Sequence, residues 1–160
     1  MRYRIRPKEQ FRLVPNLAIE TFRPSDGERR RTEARNLVVD DGIELVRDLL
    51  GGTGHRPSHI GLGTGATAPA AGDTAIETEQ YRDVITRRDQ LASGIDFQLF
   101  LGLNEGNGFT YTEAGLLETG IQNDAPGDPA ILVARATFTG VVKNNTVELT
   151  LTWTIGIAAV

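Results

Sequence analysis

The chain has 160 residues, 39% of them apolar and 24% charged, with 18 glycines, two histidines and no cysteine. That length suits one sizeable core, the apolar share argues against global disorder, and the missing thiols exclude disulfides and thiolate metal sites. The net charge of −4 is unevenly placed: residues 1–35 carry ten Lys or Arg against five Asp or Glu, a balance of +5, whereas residues 36–160 carry a balance of −9.

An acidic body is repelled by DNA, so the basic stretch is the only candidate nucleic-acid element. Contact of that stretch with an acidic face of the same or a neighbouring subunit is the preferred reading, and direct nucleic-acid binding is disfavoured. No segment approaches an 18-residue apolar span and the start of the chain lacks the apolar core of a signal peptide, so neither membrane insertion nor secretion is expected.

In chain order, residues 1–6 alternate apolar and basic side chains and read as a short strand with one wet face. Residues 11–19 are more apolar, but Pro15 removes a ladder donor and points to an edge strand or an extended arm. Pro24-Ser25-Asp26-Gly27 supplies turn chemistry. Residues 1–35 are accordingly expected to form a basic N-terminal arm or edge strands, set apart from a β-rich structural domain at 36–160. Ile43, Val46, Leu49 and Leu50 fall at helical spacing, with Asp41 placed to cap and Glu44 three residues on, before Gly51-Gly52. One short helix is predicted, at about 41–50.

His59-Ile60-Gly61-Leu62-Gly63 reads as a strand with close backbone packing, and residues 64–72 as a Pro/Ala/Gly loop. Asp73 is expected to cap a single turn. Residues 97–103 alternate, and residues 109–117 are expected to pair back on them as a hairpin across Asn104-Glu105-Gly106-Asn107-Gly108. Residues 121–130 read as a loop and 131–139 as a strand, followed by a turn whose Asn144 and Asn145 suit left-handed conformations. Residues 146–157 alternate throughout, with Val147, Leu149, Leu151, Trp153, Ile155 and Ile157 on one face and a Thr-rich face opposite. Burying those six side chains contributes on the order of 10 kcal/mol before entropy, so this strand organises the core. The fold class expected is mainly β, an antiparallel β-sandwich-like domain with one short helix and an extended N-terminal arm.

Signatures of catalysis are weak. His55 and His59 have the spacing of a helical metal pair, but Pro57 opposes a helix there and a third ligand is unmarked. A Ser-His-Asp set drawn from Ser58 and His59 lacks the nucleophile elbow. Gly61-Leu62-Gly63-Thr64-Gly65 lacks the phosphate-loop spacing and its lysine. Asn144-Asn145-Thr146 matches a glycosylation acceptor, for which the turn reading suffices. Glu113 lies between apolar neighbours and needs a partner, for which Arg135 is the candidate. No catalytic, cofactor-binding or metal residues are assigned. The interaction candidates are the basic cluster Arg29, Arg30, Arg31 and Arg35 and the aromatics Tyr81, Phe109 and Tyr111.

Several segments together resemble the small tail-fibre or tail-associated structural proteins of tailed phages and related prophages. They are Asn36-Leu37-Val38-Val39 leading into the helix, His59-Ile60-Gly61-Leu62-Gly63-Thr64-Gly65 with Thr67-Ala68-Pro69, and Asp73-Thr74-Ala75. Phe100-Leu101-Gly102, Asn107-Gly108, Thr112-Glu113-Ala114-Gly115-Leu116, Leu132-Val133-Ala134-Arg135-Ala136 and the closing 149–155 strand continue the order. The resemblance spans about residues 36–157 and leaves out the basic arm. It implies a non-catalytic virion subunit, assembled in the host cytoplasm, that acts in assembly or attachment of the tail, fibre or particle surface. The partners expected are copies of itself, as a trimer or ring, and other virion proteins reached through the N-terminal arm. The alternatives are a receptor- or carbohydrate-binding module at a fibre tip, built on Tyr81, Phe109 and Tyr111, a capsid decoration or other accessory assembly protein, and, least favoured, a metal-dependent enzyme.

Overall fold

The computed structural model describes residues 11–34, 36–119 and 125–159. The strand expected at 1–6, the guanidinium of Arg35 and the first part of the 121–130 loop lie outside them. Ten strands and one helix follow one another as β1 (Phe11–Arg23), β2 (Glu28–Ala34), β3 (Asn36–Val38), α1 (Asp40–Leu50), β4 (His59–Gly63), β5 (Glu79–Val84), β6 (Arg87–Leu91), β7 (Gly94–Leu101), β8 (Phe109–Glu118), β9 (Ile131–Lys143) and β10 (Glu148–Ala159). They form two antiparallel five-stranded sheets, ordered β2-β1-β10-β7-β6 and β3-β9-β8-β4-β5. The fold is a β-sandwich, as its alternating segments require.

The strongly alternating strand is the centre of the first sheet. β10 pairs with β1 from Phe22↔Glu148 to Phe11↔Ala159 on one side and with β7 on the other. Leu149, Leu151, Trp153 and Ile155 point into the sandwich against Leu17, Ile19, Phe97, Leu99 and Leu101, while Ile157, beyond the covered part, is exposed. On the outer face Thr154 Oγ1 donates to Asp96 Oδ1 at 2.6 Å, so the Thr-rich side is tied across strands.

Residues 11–34 are not separate from this core. β1 lies between β2 and β10, with Leu17, Ala18 and Ile19 buried, and β2 is the sheet edge. A boundary at residue 35 therefore cuts through a sheet. Pro15 is tolerated inside the ladder at the position opposite Ile155. The sequence misleads here because a missing amide reads as an edge signal, whereas only one residue of a thirteen-residue strand is affected.

Three other expectations change. β7 and β8 do not form a hairpin: the connection between them crosses from one sheet to the other, held by the Tyr111 hydroxyl donating to Gly106 O (2.8 Å) and Gly108 N–H donating to Lys143 O (3.0 Å). Asp41 does not cap α1; the N-cap is Val39, and Asp40 and Asp41 lie in the first turn, where their charge suits the positive end of the helix dipole. Among the described residues no non-glycine has a positive φ, so Asn144 and Asn145 turn the chain differently. The Asn144 Oδ1 accepts from Thr146 N–H at 2.9 Å and closes a side-chain turn.

Candidate functional site

Two faces of the sandwich carry features beyond core packing. The first is the outer face of the β3-β9-β8-β4-β5 sheet, where residues 64–78 pass over β4 and β8. Glycine at 61, 63 and 115 leaves the surface low: a methyl on Gly61 would meet Ile76 and Glu79, one on Gly63 would meet Glu113 and the Thr78 carbonyl, and one on Gly115 would meet Ile76 and Leu132. Ile76 drops into that space and packs with Val39, Leu117 and Leu132 as a second, smaller core.

Glu113 fastens the crossing. Its carboxylate is 0% exposed and accepts from three backbone N–H groups of the crossing segment: Gly65 (2.8 Å) and Thr78 (2.7 Å) on Oε1, Glu77 (3.1 Å) on Oε2. The expected partner meets it, with Arg135 donating from Nε at 3.0 Å and Nη2 at 2.8 Å to Oε2. The remaining donors of Arg135, itself 3% exposed, reach Asp73 (2.9 Å) and Glu77 (3.2 Å). Burial works against the Arg135 cation, but its bonds to Glu113 and Asp73 prevail and hold its pKa above the ordinary value. Asp73 is held below the carboxylate range by the Ala70 N–H and then by Arg135, and Glu77 by the amide and hydroxyl of Thr67. Every acid in the cluster is engaged in fastening backbone, so its chemistry is structural.

The second face is the end of the sandwich where β1 begins and β10 finishes. Here α1 lies against β9 so closely that a methyl on Gly42 would overlap the Val133 carbonyl oxygen. Only Gly42 and Leu45 of the helix are buried. The apolar stripe of Ile43, Val46, Leu49 and Leu50 is largely uncovered: Ile43 is 54% exposed, Leu50 is 78% exposed, and Leu49 is exposed as well. At about 100° per residue the apolar arc of α1 runs from Leu45 to Ile43, and the sheets cover only part of it. A mainly apolar groove of about 400 Å³ continues from this arc, with Leu13, Leu91, Ile95, Ile157 and Pro57 among its walls. A second groove, between α1 and β3, shares Leu13, Val38 and Val46 with it. The two make one apolar surface, the kind of patch that marks an interaction site.

The sequence-derived interaction residues are placed elsewhere. Arg29 lies with its guanidinium 4.1 Å from the Phe22 ring centroid. Arg30 pairs with Glu28 at 2.7 Å, and Arg31 pairs with Glu20 and Glu33. Arg30 and Arg31 are thus matched by acids of their own hairpin, within residues 1–35, and not by an acidic face elsewhere on the chain. Tyr81, Phe109 and Tyr111 do gather near the 102–108 corner, but they do not make an exposed platform. Tyr111 is 1% exposed and its phenol is pushed up to about 12 by burial, and its ring stacks obliquely on Phe109 at 5.7 Å. The Tyr81 hydroxyl, likewise raised by burial and then by Asp83, donates to Asp83 at 2.9 Å. Tyr111 reads as a surface residue in sequence because its hydroxyl is polar; burial is possible because Gly106 O accepts that proton.

His59 is buried, with Nδ1 bonded to the hydroxyls of Ser58 (2.9 Å) and Thr119 (2.8 Å), whereas His55 is exposed. Among the described residues no three His, Cys, Asp or Glu side chains converge as a metal site. The buried Lys143 donates to Asn107 Oδ1 at 2.7 Å and Asn144 O at 3.2 Å, which braces the 102–108 corner, and burial depresses its pKa. No protein-family model, curated protein or solved structure matches the chain. The apolar α1 surface, missed as a site in sequence, was visible there as a stripe wider than one sheet face can cover.

Proposed function

We propose that the chain is a non-catalytic structural subunit that assembles with copies of itself through the apolar surface around α1. In line with the resemblance over residues 36–157, it serves as a virion component of a tailed phage or related virus, in the tail, fibre or particle surface. The observation that carries the reading is the uncovered arc of Ile43, Leu49 and Leu50, continuous with Leu13, Leu91 and Ile157. Exposing that much apolar surface on a free monomer is costly, at about 25 cal/mol per Å², and a second copy removes it from water.

The strand edges favour this face over edge-to-edge pairing. β2 and β6, the edges of one sheet, read Glu-Arg-Arg-Arg-Thr-Glu-Ala and Arg-Arg-Asp-Gln-Leu, and β3 is three residues long. Charged or very short edges discourage strand addition. Light scattering on the full chain at tens of micromolar tests the proposal. An oligomer is expected, and Ile43→Asp with Leu50→Asp is expected to give a monomer that still melts cooperatively. A wild-type monomer, or a variant that keeps the wild-type mass, would overturn it.

A further inference from the structure

A lysine amine is shut away beside an asparagine amide at the 102–108 corner, where the α1 surface makes no use of it. We propose that Lys143 and Asn107 join there in an intramolecular isopeptide bond, an amide between Nζ and Cγ, with Glu105 carrying the proton. The bond goes beyond the assembly reading and forms in a monomer as readily as in an oligomer.

Lys143 is the last residue of β9 and is 1% exposed, and its Nζ lies 2.7 Å from Asn107 Oδ1. The other acceptor is Asn144 O, at 3.2 Å. Three N–H groups of a buried ammonium therefore meet two acceptors, both neutral, which is a costly way to bury a charge. Conversion to an amide removes the charge and leaves one N–H, with Asn144 O at hand to accept it. Burial lowers the Lys143 pKa against the opposing influence of Glu105 and Glu148, and so favours the neutral, nucleophilic amine.

Both reacting groups are held by backbone. Phe109 pairs with Lys143 in the β8–β9 register, and Gly108 N–H donates to Lys143 O at 3.0 Å. The residue after Asn107 is thus fixed to the backbone that carries the amine. Asn107 Nδ2 donates to Leu103 O at 2.8 Å, which leaves Oδ1 on the side of Nζ. Holding an amine and an amide in this way supplies the high effective concentration that amide exchange needs.

In the reaction the Nζ lone pair attacks Cγ, a C–N bond forms and the Cγ–Nδ2 bond breaks. One amine proton moves to Nδ2, which leaves as ammonia, and no oxidant or other reactant is consumed. Glu105 sits on the same turn, with Oε2 held by Gly102 N–H at 2.7 Å and its charge felt at Nζ; it takes the proton from Nζ and delivers it to Nδ2. Asn107 is only partly buried, so ammonia has a way out. In a chain without cysteine, the bond closes residues 107–143 into a covalent loop that ties the corner between the sheets to β9.

Intact-mass spectrometry of the full chain, freshly purified and after prolonged warm incubation at mildly alkaline pH, provides the test. The wild type is expected to be lighter than its sequence by one ammonia, about 17 Da, with a proteolytic fragment that joins the Asn107 and Lys143 peptides. Lys143→Met and Asn107→Ala are expected at their sequence masses, and Glu105→Gln is expected to close at least about tenfold more slowly. Asn107 precedes Gly108, so a succinimide there also loses ammonia. That product joins no second peptide and survives Lys143→Met, and finding it in place of the joined fragment overturns the bond. A wild type at its sequence mass under both conditions, or one with Asn107 converted to aspartate, overturns it too, whatever the oligomeric state. Closure of Glu105→Gln at the wild-type rate overturns the role of Glu105.

Discussion

Glu113 and Arg135 depart from the usual buried ion pair in a way that can be measured. Replacing both members of such a pair with apolar residues is often neutral, because desolvation has consumed most of the attraction. Here the carboxylate also accepts from the amides of Gly65, Glu77 and Thr78. Arg135→Met is expected to cost about 3–5 kcal/mol, since it strands a buried charge. Glu113→Leu with Arg135→Met is expected not to recover that loss, because three backbone donors then lack an acceptor at about 1–3 kcal/mol each. Urea titrations followed by the fluorescence of the single, fully buried Trp153 decide between recovery and none. The same cluster sets an acid limit. Asp73 and Glu77 are both held below their ordinary pKa. Their contribution is therefore complete above about pH 5 and is lost as pH falls through the depressed folded values. Amide exchange at Thr67 and Ala70, whose N–H groups these acids accept, should rise below about pH 4 before the strands of the core begin to exchange.

Elements are placed here by what their glycines leave out. In α1 a methyl at Gly42 would overlap the backbone carbonyl of Val133, whereas on β8 a methyl at Gly115 would meet the side-chain ends of Ile76 and Leu132. Backbone cannot turn aside, and a side-chain end can. Gly42→Ala gains about 1 kcal/mol of helix propensity, yet the clash with β9 is expected to exceed it, for a net loss of about 2–3 kcal/mol. Gly115→Ala is expected to cost about 1 kcal/mol, with Ile76 shifting in the space above it. Thermal melts of the two variants, scaled to the wild type, test the order as well as the size. Two strands, β5 and β6, were not legible as strands at all. Glu-Gln-Tyr-Arg-Asp-Val and Arg-Arg-Asp-Gln-Leu are edge segments whose side chains are mostly half-wet on both faces, so no alternation marks them.

For the whole molecule, the charge asymmetry and the apolar end make opposite demands on salt. Contacts between the basic N-terminal stretch and acids on the surface weaken as the Debye length falls to about 3 Å at 1 M salt, whereas apolar burial does not. If assembly runs through the α1 surface, the oligomer mass is expected to persist in 1 M sodium chloride. An assembly held mainly by the arginines of β2 would dissociate instead. Arg30 and Arg31 already have local partners in Glu20, Glu28 and Glu33, and Arg29 lies over the Phe22 ring, which leaves less free charge for a distant acidic face.

The sequence by itself determined the elements whose pattern is local. Period-two alternation picked out β10 and its buried face, helical spacing placed α1 within a residue, and the isolation of Glu113 among apolar neighbours pointed to Arg135. The tertiary structure alone decided which sheet each strand joins, so β1 became an interior strand and β7 and β8 parted at a corner. It also decided how much of the α1 stripe is covered. Periodicity reports how wide an apolar face is, but only the packing partners decide how much of that width is hidden from water.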